Sequence, residues 1–320
     1  MTTLVQARVL DGVAIATEIK TEVAAEIASA KSAGITPGLA VVLVGEVDAS
    51  QIYVRSKVKT CAELGIYSEL VTLPADTTTE ALLALIASLN ARDEIDGILI
   101  QLPLPAHIDT QRLLEAVDPA KDVDGFHPKN AGRLLSGLPA SEVLAPCTPA
   151  GVMEMLRRAE ITVAGRHAVV LGRSNIVGKP IAAMLLNASA TVSICHSQTV
   201  DLQRYTREAD ILVAAIGRAG FLTPAMIKPG ATIIDVGINR ITDATECQRL
   251  FPHDAARRAS FQQRGSTIAG DVAPEAYQRA GAYTPVPGGV GALTIAMLMA
   301  NTVKAARMRR QRDGGSTCCA

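Results

Sequence analysis

"HAVVLGRSNIVGKP", residues 167–180, decides the fold. A continuous apolar run ends on Gly172, which can turn the chain, and Gly178 then opens a helix that can lie close to a sheet. The backbone N–H groups and positive end of such a helix would face a pyrophosphate. The spacing is GxSxxxG and departs from GxGxxG, so its weight comes from its surroundings. Downstream lie a helix over about 179–188, "TVSIC" (191–195), a helix over about 201–208, "DILVAAIG" (210–217), "TIIDVGI" (232–238) and "STIAGDV" (266–272). This alternation predicts parallel strands joined by right-handed crossovers, as in a Rossmann-type dinucleotide-binding domain.

Upstream, a second series follows the same grammar. Ile15, Ile19, Val23 and Ile27 recur every four residues between Leu10 and Ala33, which predicts an amphipathic helix ended by Gly34. "LAVVLVG" (39–45), "YSELVTL" (67–73) and "DGILIQL" (96–102) read as strands, with helices over about 50–64 and 79–91 between them. "CTPAGVMEMLRRAE" begins a linking helix with Thr148 as its cap and Pro149 in its first turn. The expected class is α/β, with two parallel-sheet domains over residues 1–147 and 148–287 and an active-site cleft between them. The apolar last helix, 288–309, is expected to complete the first domain, and the polar tail 310–320, which contains Cys318 and Cys319, to be disordered.

Bulk properties narrow the functional classes. At 320 residues the chain exceeds the ~250–300 at which single cores stop growing, which favours two domains. Lys plus Arg and Asp plus Glu number 31 each, so no broad positive field draws a nucleic acid or an anionic membrane. The longest apolar stretch, 291–303, falls short of the ~20 residues a spanning helix needs. Six cysteines without CxxC or Cys/His ligand spacing, and no signal-peptide pattern, point to a reducing cytoplasm. His127, His167, His196 and His253 are scattered without ligand spacing, so structural or solvated roles are expected and no metal site is. Partners should be small molecules or other copies of the chain.

The cofactor implied is NADP. NAD-selective sites hold an acidic residue at the end of the second strand, but here that strand ends in Cys195, His196 and Ser197. Arg173, directly after the first glycine, supplies a cation and a fork of donors for a 2′-phosphate, with Ser197 as a second donor. Candidate chemistry lies in the first half. Tyr53 and Lys57 stand four residues apart on one helix face, an arrangement that a solvated face would also produce. Gln101 lies where the third strand runs out, the edge at which ligands collect in open parallel sheets. Asp122 and Asp124 occupy the turn "KDVDGF", and "TPVPGGVGALT" (284–294) brings glycine backbone close to where a flat ligand could lie.

Taken in order, "YVRSKVKTCAELGI", "GILIQLPLP", "KDVDGFHPKNAGRL", "PCTPAGV", "VVLGRSNIVGKP", "CHSQT", "ADILVAAIG", "IDVGINR", "GDV" and "TPVPGGVG" span nearly the whole chain. In them the sequence resembles the bifunctional methylenetetrahydrofolate dehydrogenase/methenyltetrahydrofolate cyclohydrolase (FolD) family. The resemblance implies NADP-dependent oxidation of 5,10-methylenetetrahydrofolate and hydrolysis of the methenyl product to 10-formyltetrahydrofolate, in a homodimer built through the nucleotide-binding domains. It makes Lys57 the catalytic lysine, Tyr53 a residue that stacks on or positions the folate, Gln101 the residue that orients Lys57, and Asp124 the acceptor for the pterin amino edge. Pro287, Gly288 and Gly289 would also touch the folate, and Gly172, Arg173, Ser174 and Ile238 the NADP. Hydride departure needs positioning more than an acid or base, whereas hydrolysis needs proton transfers. A lysine beside a cationic ligand in a partly desolvated cleft can serve them near neutral pH.

The chain departs from the family pattern at Val13, Asp48, Ala219 and Ala292, and at Gln198, where the family usually carries a basic residue that would help to hold a 2′-phosphate. Residues 241–269 resemble a polar surface insertion that includes a helix. Two other readings compete: an NADP-dependent dehydrogenase of a hydroxy or amino acid, and a non-catalytic NADP-binding scaffold. Both leave Tyr53, Lys57 and "KDVDG" without a task.

Overall fold

A computed structural model describes residues 7–45 and 48–315. The first half of the chain runs β1 (Arg8–Val9), α1 (Gly12–Ser32), β2 (Gly38–Val44), α2 (Asp48–Leu64), β3 (Tyr67–Leu73), α3 (Thr79–Ala91), β4 (Gly97–Ile100), α4 (Thr110–Ala116), α5 (Pro128–Leu135) and α6 (Cys147–Arg158). The second half runs β5 (His167–Leu171), α7 (Gly178–Asn187), β6 (Thr191–Cys195), α8 (Leu202–Thr206), β7 (Ile211–Ala214), β8 (Thr232–Asp235), β9 (Asn239–Ile241), α9 (Ala244–Leu250), α10 (Ala255–Arg264), β10 (Thr267–Ala269), β11 (Ala282–Tyr283) and α11 (Val290–Gly315). The chain divides into two compact units, one of residues 16–150 and 294–320, the other of residues 1–15 and 151–293.

In the first of these units three parallel strands lie in the order β3-β2-β4. Every residue of β2 is buried, which is why it reads as an unbroken apolar run rather than an alternating one. Leu82, Ile86 and Leu89 of α3 pack with Ile98 and Ile100 of β4 in one core. The late part of α11 is fastened here by polar contacts. Buried Asn301 donates to the carbonyls of Val123 (2.8 Å) and Ala145 (2.9 Å), and Arg309 donates to the buried Asp96 carboxylate and to the Ile95 carbonyl (2.8 Å). Arg310 adds a bond to the Asp93 carbonyl (3.0 Å), and α11 continues through Gly315, past the expected start of a disordered tail at residue 310. Cys318 and Cys319 lie outside the described residues. Helix α6 begins at Cys147, two residues earlier than a Thr148 cap implies, so Thr148 is not its cap, and the Thr148 hydroxyl instead meets that of Thr294 at 2.9 Å.

The other unit is a six-stranded parallel sheet in the order β1-β11-β8-β7-β5-β6. From β5 the chain goes out to β6 and returns to β7 on the other side, which leaves a topological switch point between the ends of β5 and β7. One sequence expectation fails in this unit. The segment 266–272 does not join the sheet, and β10 instead pairs antiparallel with β9 in a separate ribbon. The buried Asp271 carboxylate accounts for this, because it draws the chain after Ala269 toward the loop that follows β7. The sheet is extended instead by β11 and β1, two residues each and too short to show a period. Pairing of β1 with β11 places the N-terminal residues with this unit, although chain order alone would assign them to the other.

Between β9 and β10 the insertion forms two short helices, α9 and α10, around a small core of Ile241, Cys247, Leu250, Phe251 and Ala269. The guanidinium of Arg257 lies 4.4 Å from the centre of the Phe251 ring. Among the described residues no helix is long and apolar enough to cross a membrane.

Candidate active site

Helix α2 carries Tyr53 and Lys57 one turn apart. Lys57 is buried, with 9% of its surface exposed, and its ammonium donates to Gln101 Oε1 at 3.0 Å. Gln101 follows β4 directly, and its backbone N–H continues the ladder to the Val42 carbonyl (2.9 Å), so a strand end fixes its position. Its Nε2 donates to the Leu102 carbonyl at 2.7 Å, which sets the amide so that the oxygen faces the lysine. Tyr53 remains 37% exposed, with its phenol raised from the usual range by partial desolvation.

The two acids of "KDVDGF" have different tasks. Buried Asp122 accepts from the Phe126 N–H (3.1 Å), the His127 N–H (2.9 Å) and Asn130 Nδ2 (2.8 Å), which builds the loop and leaves little capacity for a ligand. Burial pushes the Asp124 carboxyl up to about 6; the Lys57 ammonium opposes this shift and the Asp122 charge reinforces it. The Cys147 thiol donates to the Val123 carbonyl (3.3 Å), the same oxygen that Asn301 holds, so two buried groups brace the residue before Asp124. Lys121, equally buried, only satisfies the last carbonyls of α3, at Leu89, Asn90 and Arg92.

In the other unit, Gly172 has φ +113°, a conformation that strains any L side chain, and a Cβ there would drive into the Ala215 carbonyl. Ser174 Oγ accepts the N–H groups of Val177 and Gly178 (both 3.2 Å) at the start of α7, and its hydroxyl proton remains available to a ligand. Arg173, Ser174 and Ser197 are exposed, and Ile238 is 49% exposed beyond β8. This cradle fits a dinucleotide, with backbone free to approach at Gly172 and a helix N-terminus beside it.

The glycines of "PVPGGVG" serve packing as much as access. Gly288 has φ +101° and accepts the Gly12 N–H (3.0 Å), and a Cβ on Gly289 would meet the Pro285 carbonyl. His127 caps α5 through Nδ1, His167 meets the Ser193 hydroxyl (3.0 Å) and His196 Nδ1 accepts the Gln198 N–H (3.2 Å), so these three have local partners. Among the described residues no group of three or more His, Cys, Asp or Glu could hold a metal ion. Sequence reading missed Asn301, Asp235 and Asp271, all buried and polar; "GDV" alone hinted at the last of them.

Residues 10–124 match the family described as tetrahydrofolate dehydrogenase/cyclohydrolase, catalytic domain, and residues 146–310 match its NAD(P)-binding domain. The chain belongs to this family. Bifunctional protein FolD of Koribacter versatilis is 61% identical over 304 residues, covering 95% of this chain and 98% of that one. The protein of the same name from Solibacter usitatus is 58% identical, with coverage of 94% and 98%. The crystal structure of the bifunctional FolD methylenetetrahydrofolate dehydrogenase/cyclohydrolase from Campylobacter jejuni is similar throughout, with TM-score 0.85, 47% identity and coverage of 95% and 99%. That of the Trypanosoma brucei enzyme, complexed with NADP cofactor and an inhibitor, has TM-score 0.85, 37% identity and the same coverage. The two-domain α/β architecture with a Rossmann-like nucleotide unit is thus a property of the tetrahydrofolate dehydrogenase/cyclohydrolase family.

Proposed function

We propose that the chain oxidises 5,10-methylenetetrahydrofolate to the 5,10-methenyl cation with NADP⁺ and hydrolyses that cation to 10-formyltetrahydrofolate. The observation that carries this reading is the buried Lys57 ammonium, held on Gln101 at 3.0 Å and electrostatically coupled to Asp124, in a chain of this family. NADP⁺, when bound, supplies the hydride acceptor. The Gly172 turn and the start of α7 would hold its pyrophosphate, Ser174 would donate its hydroxyl, and Arg173 with Ser197 would take the 2′-phosphate. Ile238 would lie against the nucleotide.

Tyr53 would stack on the folate, and the ionised Asp124 would accept from the pterin amino edge. Pro287, Gly288 and Gly289 would add backbone contacts. Oxidation asks these residues only to hold the methylene carbon still. In hydrolysis, water adds to the methenyl carbon, one C–N bond breaks and a proton is released, so a group must take the proton from water and return one to the departing ring nitrogen. Lys57, oriented by Gln101, would do both by passing between its amine and ammonium forms. Family membership supports this reading over a hydroxy- or amino-acid dehydrogenase or a scaffold. A homodimer joined through the nucleotide-binding domains and a cytoplasmic home belong to the same reading; the second is supported by the free, buried thiols of Cys61, Cys147, Cys195 and Cys247.

Lys57→Met tests the assignment. We expect cyclohydrolase activity, followed as decay of methenyl absorbance, to be abolished, while NADP⁺ affinity stays within about twofold. A variant that hydrolyses methenyltetrahydrofolate at the wild-type rate removes Lys57 from the mechanism.

A further inference from the structure

Two buried carboxylates beside the switch point are saturated by protein donors. Asp271 accepts the N–H groups of Ile216 (2.7 Å), Gly217 (3.0 Å) and Arg218 (2.7 Å) together with Asn239 Nδ2 (2.9 Å). Asp235 accepts the N–H groups of Gly237, Asp271 and Val272 and the Tyr277 hydroxyl, each at 2.9 Å. Four donors fill the capacity of each carboxylate, so neither is placed to bind a ligand.

What they hold is informative. Ile216 N–H belongs to the same peptide plane as the Ala215 carbonyl, and in a trans peptide the two point in opposite directions. Asp271 grips the N–H end, and the carbonyl end occupies the space into which a Cβ at Gly172 would project. Asp235 grips Gly237, the residue before Ile238, and is tied to Asp271 through the Asp271 N–H. One network therefore fixes the loop after β7, the loop after β8 and the seat of the Gly172 turn.

We propose that Asp271, secured by Asp235, is a positioning residue for the dinucleotide: it sets the peptide plane against which the Gly172 turn rests. This rests on the reading of that turn as the NADP site. In Asp271→Asn one carboxylate oxygen becomes an NH₂ group facing donors, so the 215–216 plane must rotate and release the turn.

The test is NADP⁺ binding by isothermal titration calorimetry, with KM for the folate and the unfolding midpoint measured in parallel. Asp271→Asn should raise the Kd for NADP⁺ about tenfold and leave the folate KM within about twofold. Asn239→Ser and Tyr277→Phe each remove one donor and should raise that Kd by roughly two- to threefold. They decide the matter if Asp271→Asn does not fold. A folded Asp271→Asn with wild-type Kd and only a lowered unfolding midpoint overturns the proposal, as do wild-type Kd values in both milder variants. Failure of the underlying reading looks different: Arg173→Ala and Gly172→Ala would then bind NADP⁺ as the unaltered chain does.

Discussion

Acidification should switch off folate capture through one carboxyl group. Burial pushes Asp124 up to about 6, with Lys57 opposing the shift, so the group is mostly ionised at neutral pH and mostly protonated at pH 5. Only the ionised form offers acceptors on both oxygens to a donor edge of the pterin. With a titration point near 6, the ionised fraction falls about tenfold between pH 7 and pH 5, from roughly nine-tenths to one-tenth. The kcat/KM for methylenetetrahydrofolate, taken at saturating NADP⁺, should fall by that factor. Stopped-flow absorbance of methenyl formation at saturating NADP⁺, from pH 5 to pH 8, measures it. Asp124→Asn should lose the acid limb altogether and lie about tenfold or more below wild type at pH 7, the loss of a charge-assisted hydrogen bond. The sign with respect to Lys57 is also fixed: Lys57→Met removes the charge that holds Asp124 down, so the acid limb of folate binding moves to higher pH. A flat profile in the unaltered chain, or an unchanged acid limb in Asp124→Asn, refutes the assignment.

Two further substitutions probe the scaffold. Gly172→Ala meets a left-handed φ that costs ~1–2 kcal/mol for an L residue and a Cβ clash with the Ala215 carbonyl that Asp271 prevents from yielding. We expect the Kd for NADP⁺, measured by calorimetry, to rise at least about tenfold; unchanged binding would show that the turn is not the seat of the nucleotide. Asn301→Leu keeps the branched outline of the side chain but orphans the buried carbonyl of Ala145, at about 1–3 kcal/mol, and leaves that of Val123 with the Cys147 thiol as its remaining side-chain donor. Urea unfolding followed by circular dichroism should show a loss of ~1–3 kcal/mol, with a raised folate KM because Val123 precedes Asp124; a loss below about 0.5 kcal/mol would mean that the Ala145 carbonyl finds another partner.

Continuous apolar runs such as "LAVVLVG" and "HAVVLG" were enough to specify β2 and β5, because a strand covered on both faces has no polar side to show. Glycine spacing located the tight turn after β5, since a φ of +113° at Gly172 strains any L side chain whatever surrounds it. Tyr53, Lys57 and Gln101 were legible as a helix face and a strand end, both local periodicities. The burial and donors of Asp122 and Asp124 were not legible in local pattern: two residues apart in one acidic turn, they differ in which groups reach them after the loop closes.

The same limit governs the rest. Strands β1 and β11 are two residues long and exist because each supplies the other's ladder across more than 270 positions of sequence. Asn301 and Asp271 act on backbone that is 178 and 55 residues away. Local pattern thus determined the strands, helices and turn that short-range sterics and burial enforce, together with the residue types available for chemistry. Tertiary structure alone decided which buried polar groups meet, because a carboxylate or amide carries no sign in the sequence of the distant donors and carbonyls that will satisfy it.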